Sequence, residues 1–271
     1  MPELLALTSD TIELYRRPPR PRSPVEALLR SFLFLILIPF TAAVALADSH
    51  NIVKIPGPAV AISAMLHDAA GDLYVAGTAG TTRPGATGMD AFVARLSSDG
   101  STVRFRTILG GSQFIGTEVI ALPGDGTVLV AGTTNSQGFS VTPDAAEPQP
   151  IIPAGYTYTG YFARLDANGK VTYATYLNGN PMLTIPPVTL QPLAMVADGQ
   201  GAAYITGQGI IDSIPGALPA VDYNYGHFAM KIDPAGKVAF VTGALGGKAI
   251  AVDGQGSIYI AGSESPAYPF R

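Results

Sequence analysis

The sequence predicts an all-β protein built from repeated four-stranded antiparallel sheets, and three observations carry this prediction. The text DGQGAAYITG at residues 198–207 returns almost unchanged as DGQGSIYIAG at residues 253–262. A second, longer text alternates with it along the chain. The 271 residues include 31 glycines and 23 prolines, which suits many tight turns between short strands.

The first text recurs four times, and each copy predicts a β-hairpin. Every copy follows an apolar run and holds a turn in which Asp accepts backbone hydrogen bonds and Gly tolerates a positive φ. The copy GDGTVLVAG makes its turn with Pro-Gly-Asp-Gly instead of Asp-x-x-Gly. The copies end at Gly77, Gly132, Gly207 and Gly262. The predicted hairpins span residues 59–77, 117–132, 190–207 and 248–262.

The second text also predicts a hairpin, and its copies lie between those of the first. It reads DAFVARLSSDGSTVRFRTILGG, GYFARLDANGKVTYATYLNG and GHFAMKIDPAGKVAFVTGALGG in order along the chain. Apolar residues are spaced by two or run continuously, so no window has the period of a helix. The aromatic residues taken as equivalent are Phe92, Phe162 and Phe228. These hairpins span residues 91–109, 161–177 and 227–245.

Two consecutive hairpins form one four-stranded unit, and repeated units of this kind are typical of β-propeller blades. Neighbouring blades cover both faces of a blade, so its strands are near-continuous apolar runs, as in SIYIAG. A β-sandwich would not need the same hairpin text four times, and a β-solenoid usually has shorter rungs. The predicted blades are residues 59–111, 117–179, 190–247 and a partial blade at 248–271.

The text DAFVARL…ILGG followed by GDGTVLVAGTTNS…F resembles the bacterial β-propeller repeat known as the SBBP repeat. The resemblance covers residues 59–271. It weakens at residues 160–207, where LNGNPMLTIPPVTLQP replaces the compact LGG turn. The resemblance implies a propeller in an exported bacterial protein, and it implies no particular activity.

The count of hairpins leaves the predicted propeller incomplete. Seven hairpins make about three and a half blades, whereas propellers usually have four or more. The final SESPAYPFR resembles the start of another loop between hairpins, so a truncated chain is expected. Such an open arc exposes strand edges and apolar faces, and missing blades or a second chain would be needed to close it. The alternative is closure by residues 51–55, NIVKI, which would add one strand to the last blade.

Residues 1–47 are predicted to be an N-terminal extension plus a signal peptide, followed by the repeat region at residues 48–271. The segment SFLFLILIPFTAAVALA carries no charge and follows several arginines. Ala45-Leu46-Ala47 matches the small-x-small cleavage pattern, so a secreted or cell-surface protein would begin at Asp48. The alternative is an uncleaved membrane anchor, although the apolar run is short for a span and Pro39 interrupts it.

The long loops that join hairpins are predicted to lie together at one end of the sheets, opposite the tight turns. Long loops on a rigid scaffold often carry binding sites, and tyrosines there offer flat contact surfaces for a carbohydrate or protein ligand. The alternative is that these tyrosines cover exposed blade edges. The candidate ligand-binding residues are Phe139, Tyr156, Tyr158, Tyr223, Tyr225 and His227.

Composition and motifs argue against several functional classes. A net charge of −4 without a basic cluster in the body of the chain argues against nucleic-acid binding. The absence of cysteine excludes zinc-thiolate sites and thiol nucleophiles. The turn aspartates lack the spacing of a calcium loop, and neither a phosphate-binding loop nor a nucleophile elbow occurs, so no metal, cofactor or catalytic residue is predicted. His227 with Asp222 is a conceivable acid–base pair, with a structural histidine as the plainer interpretation.

The predicted function is therefore a non-catalytic binding or scaffold module at the cell surface or outside the cell. One alternative is a fragment of a propeller lyase or glycoside-acting enzyme, which would need several carboxylates or histidines on its inner strands. The predicted inner strands offer one carboxylate, Glu118, and one lysine, Lys248. The other alternative is a nonfunctional truncated remnant.

Overall fold

The residues that the computed structural model describes form only β-strands, turns and loops, which confirms the all-β part of the predicted fold class. The residues it describes are 12–14, 51–53, 55, 57–58, 60–81, 84–85, 88–151, 158–179, 190–209, 227–243 and 247–262. Within these ranges there is no helix, and thus none of the length and hydropathy that crossing a bilayer requires. The chain divides into two compact units, Met1–Lys54 and Ile55–Arg271.

The described part of the first unit is one short antiparallel pair. Strand β1 (Ile12–Leu14) pairs with β2 (Asn51–Val53), and Ile12 lies opposite Val53. Residues 51–53 therefore pair with β1 and not with the last sheet, which contradicts closure of the propeller by NIVKI. The apolar segment and the predicted cleavage site lie outside the described residues, so export stays a prediction.

The described residues of the second unit form three four-stranded antiparallel sheets and one two-stranded sheet, and the strands of each sheet are connected in chain order. The first sheet comprises β3 (Val60–His67), β4 (Leu73–Gly80), β5 (Met89–Leu96) and β6 (Val103–Leu109). The second comprises β7 (Ile115–Ala121), β8 (Val128–Thr134), β9 (Thr159–Leu165) and β10 (Val171–Leu177). The third comprises β11 (Leu190–Ala197), β12 (Ala203–Gly209), β13 (His227–Ile232) and β14 (Val238–Gly243). The fourth comprises β15 (Ala249–Val252) and β16 (Ile258–Ala261). All seven predicted hairpins are confirmed.

The hairpin turns use their aspartates as the sequence predicts. Asp198 Oδ1 accepts hydrogen bonds from the backbone nitrogens of Gln200 at 3.0 Å and Ala202 at 2.9 Å. Gly201 completes this turn with a φ of +89°, a conformation that favours glycine. The carboxylates of Asp68, Asp166 and Asp253 accept the equivalent pair of backbone hydrogen bonds in their own turns. These aspartates are therefore explained by turn structure.

A β-bulge interrupts the first strand of each four-stranded sheet at the same position. The bulged residues are Ser63, Glu118 and Leu193. Just before each bulge, the backbone of the first strand lies very close to that of the second strand. A Cβ added at Gly207 would therefore overlap the carbonyl oxygen of Gln191. Gly77 and Gly132 stand in the same relation to the carbonyls of Ala61 and Gly116. The glycine that ends each of these copies is thus required by a close approach of two backbones and not by a positive φ.

The pairing register corrects one equivalence drawn from the sequence. Gly77 lies opposite Phe92, and Gly207 lies opposite Phe228. Gly132, however, lies opposite Tyr161 and not Phe162. Tyr161 is therefore the structural equivalent of the two phenylalanines, and the GYFARL text is offset by one residue from the alignment that the aromatic residues suggested.

The sheets of the second unit stack in chain order through their first strands. Strand β7 contacts β3, β4 and β5, whereas β11 contacts β7, β8 and β9, and β15 contacts β11 and β12. Within the described residues no ladder of hydrogen bonds joins the fourth sheet to the first. Exposed large apolar side chains occur on both outer sheets, with Met65 40% exposed on β3 and Tyr259 60% exposed on β16.

An aromatic residue on the fourth strand of one sheet packs against a turn glycine of the next sheet, and this contact occurs twice in the described residues. Phe105 of β6 occupies the space next to Gly169, where a Cβ would come within 2.5 Å of its ring. Tyr173 of β10 occupies the same space next to Gly236, and its hydroxyl donates to the Gly236 carbonyl at 2.8 Å. Both glycines belong to the second hairpin turn of the following sheet. Two consecutive interfaces therefore share one geometry.

Candidate functional site

The antiparallel connections place the Asp/Gly turns at one end of the sheets and the longer links at the other. We call the second of these the link end. It is the end at which β4, β8 and β12 finish and at which β5, β9 and β13 begin. The candidate ligand-binding residues belong to the links or to the first residue that follows them.

Phe139 lies in the hydrophobic core beneath the link that contains it. Its side chain is 5% exposed. Its ring centre lies 4.9 Å from that of Tyr161 and 5.5 Å from that of Tyr176. Contacts of this kind are favourable packing interactions between aromatic rings. Phe139 therefore anchors the link to the hydrophobic core, and very little of its surface is accessible to a ligand.

Tyr158 and His227 are half-buried at the link end. Tyr158 makes an edge-to-face contact with Phe114, with ring centres 5.4 Å apart. His227 is the first residue of β13 and lies opposite Gln208. Burial lowers the pKa of His227, and the positive charge of Lys248 lowers it further, so the fold disfavours the imidazolium form. Tyr156, Tyr223, Tyr225 and the proposed partner Asp222 lie outside the described residues.

A cavity of about 300 Å³ opens at the link end of the first sheet. Its polar lining includes Asp90, which is 2% exposed, and Arg106, which is half-buried. The guanidinium carbon of Arg106 lies 5.5 Å from the ring centre of Phe92, and burial lowers the pKa of this arginine. Ile108 adds an apolar wall, and Ser140 contributes from the link after β8. The cavity thus combines a carboxylate, a cation and an apolar surface.

Sequence reasoning missed this cavity because its residues come from distant places in the chain. Asp90 begins the second text and Arg106 lies on the outermost strand of the same sheet, whereas Ser140 belongs to the next repeat. The only signal in the sequence was the polar Asp90 at the start of a strand, followed by the apolar run AFVA. That signal identifies a strand end and gives no indication of a cavity.

Glu118 is a second carboxylate toward the link end, and it occupies the bulge in β7. Burial raises the pKa of Glu118, while a hydrogen bond that Thr133 Oγ1 donates to Oε1 at 3.2 Å acts to lower it. Next to it in the strand, Thr117 Oγ1 lies 3.2 Å from the Tyr161 hydroxyl in a buried contact. The bulge therefore holds a carboxylate whose charged form is disfavoured by the fold.

We expect Glu118→Gln to stabilise the protein at neutral pH. Folding raises the pKa of this carboxyl, so its contribution to the stability of the folded protein is most favourable below the pKa of the unfolded state. That contribution is lost as the pH rises through the pKa of the folded state. Glutamine keeps an acceptor for Thr133 and does not ionise. The variant should have a Tm about 2 °C higher than the parent at pH 7, and the two values should converge near pH 4. Equal differences in Tm at both pH values would contradict this effect of burial.

The charged cluster at the opposite end of the first sheet is internally satisfied. Arg95 Nη2 lies 3.0 Å from Asp68 Oδ2, and Arg95 Nε lies 3.0 Å from Asp72 Oδ2. Arg104 Nη2 donates to Asp72 Oδ1 at 3.1 Å. Burial acts to raise the pKa of Asp72, but the two arginines outweigh it and lower the pKa. In the described ranges no cluster of three or more histidine or acidic side chains is arranged to hold a metal ion.

Comparison with known proteins gives no family assignment. No model of a known protein family matches the chain, and no curated protein matches it at a significant level.

Proposed function

We propose that the chain is an exported repeat protein of the β-propeller type that acts as a non-catalytic binding module, with its ligand surface at the link end. The observation that carries this proposal is the cavity between Asp90, Arg106, Ile108 and Ser140. A small polar ligand fits its chemistry, because the lining sets the charged residues Asp90 and Arg106 beside the apolar side chain of Ile108. A carbohydrate or a polar peptide segment has these properties.

The propeller interpretation is supported by the regularity of the sheets. Three successive sheets have four strands in the same order, and adjacent sheets meet through their first strands. The bulge recurs at the same position in each first strand, and the contact of Phe105 with Gly169 recurs as that of Tyr173 with Gly236. These are the properties of blades stacked side by side. The resemblance to the SBBP repeat and the apolar segment before Asp48 add export to the proposal.

A binding role is supported over a catalytic one by the turn aspartates and Asp72, whose carboxylates bond to groups within the fold. The turn aspartates accept backbone hydrogen bonds in their own turns, and Asp72 is held by two arginines. Catalytic carboxylates instead face a substrate and have a pKa matched to proton transfer. The half-buried His227, whose pKa is lowered by burial, is compatible with a structural role in β13.

The proposal is tested by screening the protein, expressed from its full sequence in a bacterial host, against glycan and peptide arrays. Titration calorimetry then gives the Kd of each hit. We expect Ser140→Trp, which fills the cavity mouth from an exposed position, to weaken binding about tenfold or more. Asp90→Asn should also weaken it, whereas Asp166→Asn at the opposite end should leave it unchanged. Ligands that bind both cavity variants as tightly as the parent would contradict the proposed site. Recovery of a ligand as a chemically altered product would contradict a non-catalytic role.

The same preparation tests export. We expect mass spectrometry of the secreted protein to give the intact mass of a chain that begins at Asp48. A protein that keeps residues 1–47 and remains with the cells would contradict a cleaved signal peptide.

A further inference from the structure

Part of the link after β8 covers the outer edge of the second sheet. Residues 142–151 run along β10, which is the last strand of that sheet. The backbone nitrogen of Thr142 donates to the Ala174 carbonyl at 3.0 Å, and that of Tyr176 donates to the Glu147 carbonyl at 3.1 Å. These bonds add an irregular stretch of chain to the edge of the sheet, as in strand addition. We call residues 142–151 the covering segment.

The asparagine that follows β10 holds the covering segment at its far end. Asn178 Nδ2 donates to Glu147 Oε2 at 3.1 Å and to the Gln149 carbonyl at 2.9 Å. Its Oδ1 accepts a hydrogen bond from the backbone nitrogen of Ile151 at 2.8 Å. Tyr176 of β10 is only 1% exposed. The second sheet thus buries its outer edge under an extended piece of its own chain.

The pairing register identifies the corresponding place in the first sheet. Ile108 of β6 lies opposite Phe92, and Tyr176 of β10 lies opposite Tyr161. Since Phe92 and Tyr161 are equivalent, Ile108 is the equivalent of Tyr176. Gly110 follows β6 at the position that the asparagine holds after β10. Ile108 and Gly110 both line the link-end cavity, so the cavity corresponds to the place of the covering segment.

The first sheet is less covered at this place than the second. Ile108 is 42% exposed, against 1% for Tyr176. The link between β4 and β5, residues 81–88, is eight residues long, whereas the link between β8 and β9, residues 135–158, has 24 residues. A surface that the second sheet buries under its own chain is therefore accessible to a ligand in the first.

The charges at the two places are complementary. The covering segment, TPDAAEPQPI, contains two acidic residues and no basic one. Arg106 stands in β6 where β10 has Ala174, and it lines the cavity. Asp90 also lines the cavity but is 2% exposed, whereas Arg106 is half-buried and more accessible. A segment with the acidic composition of the covering segment therefore suits the first sheet as well.

We propose that the link-end cavity and the adjoining edge of β6 bind an acidic, extended peptide segment of a partner protein. The segment lies on the first sheet as the covering segment lies on the second. A carbonyl of the ligand accepts from the Ile108 amide, as the Glu147 carbonyl accepts from Tyr176. A carboxylate of the ligand lies beside Arg106, because Gly110 has no side chain to bind it. The inference rests on the proposed function and narrows its ligand from a carbohydrate or a peptide to a peptide.

The occupant is a separate polypeptide and not the link of a second copy. In each copy the covering segment is already bonded to its own β10 and to Asn178. Donating it to a neighbour would break these bonds and expose Tyr176, which is buried beneath the link. A peptide that has no fold of its own to disrupt does not incur this cost.

The probe is a labelled synthetic peptide with the sequence of residues 141–151, VTPDAAEPQPI, titrated with the protein expressed from its full sequence. Fluorescence anisotropy measures binding, and we expect saturation together with new hydrogen-exchange protection of the Ile108 amide. The Glu147→Lys peptide should bind about tenfold more weakly, because it places a like charge beside Arg106. Binding of the parent peptide should also weaken as the salt concentration rises.

Two protein variants locate the peptide on the first sheet. Ile108→Glu replaces an exposed apolar side chain of the cavity with an acidic one, so it should weaken binding about tenfold or more. Met65→Glu is the matched control, because Met65 is 40% exposed on β3 of the same sheet and does not line the cavity. It should leave the Kd unchanged. Circular dichroism checks that both variants are folded.

Four results would overturn the inference. The first is absence of saturation at about 1 mM protein. The second is equal binding of the parent and Glu147→Lys peptides, or equal binding by the Ile108→Glu and Met65→Glu proteins. The third is protection confined to β10, which would mean that the peptide displaces the covering segment. The fourth is a stable dimer that the peptide does not dissociate, which would assign this surface to a second copy.

Failure of this inference is distinguishable from failure of the proposed function. A carbohydrate that binds, is weakened by Ser140→Trp and is not displaced by the peptide would overturn the peptide inference and leave the link-end site standing. If neither a carbohydrate nor a peptide binds in a way that depends on Ser140→Trp, both are overturned. If both hold, Ser140→Trp weakens binding of the peptide probe about tenfold or more.

Discussion

We expect Gly207→Ala to lower the free energy of unfolding by about 3 kcal/mol or more. The added methyl group would overlap the carbonyl oxygen of Gln191 and would lie 2.9 Å from the ring of Phe228. The carbonyl belongs to the backbone before the bulge in β11, so relief requires the strand pair to separate. Urea unfolding followed by circular dichroism measures the effect.

Gly199→Ala is the matched control in the same hairpin. A Cβ at Gly199 has no neighbour within 4 Å, and its φ does not lie in the left-handed region. This variant should therefore change the free energy of unfolding by about 0.5 kcal/mol or less. If Gly207→Ala were as stable as Gly199→Ala, the close approach of β11 and β12 at the bulge would be wrong.

The second large effect is expected for Tyr173→Ala, which should cost about 3–5 kcal/mol. Tyr173 is buried, packs on Gly236 of the third sheet and lies in the core with Phe162. Its hydroxyl donates to the Gly236 carbonyl at 2.8 Å and accepts from the Ala146 nitrogen at 3.1 Å. Removing the ring therefore leaves a cavity between two sheets as well as two unpaired polar groups.

Two companion variants separate these contributions. Tyr173→Phe keeps the ring and removes only the hydroxyl, so a cost of about 1–2 kcal/mol is expected. Tyr259→Ala removes an exposed tyrosine and should cost well under half as much as Tyr173→Ala. A Tyr173→Ala variant no less stable than Tyr259→Ala would show that the second and third sheets do not pack through this residue.

The candidate site was predictable only in outline. Because antiparallel strands alternate direction, the sequence was enough to place the links together at one end and to name Tyr158 and His227 there. It did not reveal that Phe139 is buried under its link, since an aromatic residue in a polar loop has the same local pattern whether it faces the core or solvent. Nor did it reveal the cavity, because Asp90, Arg106 and Ser140 meet only through the stacking of two sheets.

The sequence by itself determined the strands, their turns and their grouping into four-stranded sheets. These depend on local chemistry: Asp198 hydrogen-bonds to amides within its own turn, and Gly201 adopts a positive φ without a steric penalty. The tertiary structure alone decided the bulges, the offset that makes Tyr161 equivalent to Phe92, and the exposure of Tyr259. These features depend on which residue of the paired strand or of the adjacent sheet a given residue contacts. The pairing register and the stacking of the sheets determine that contact, and nearby residues in the chain do not.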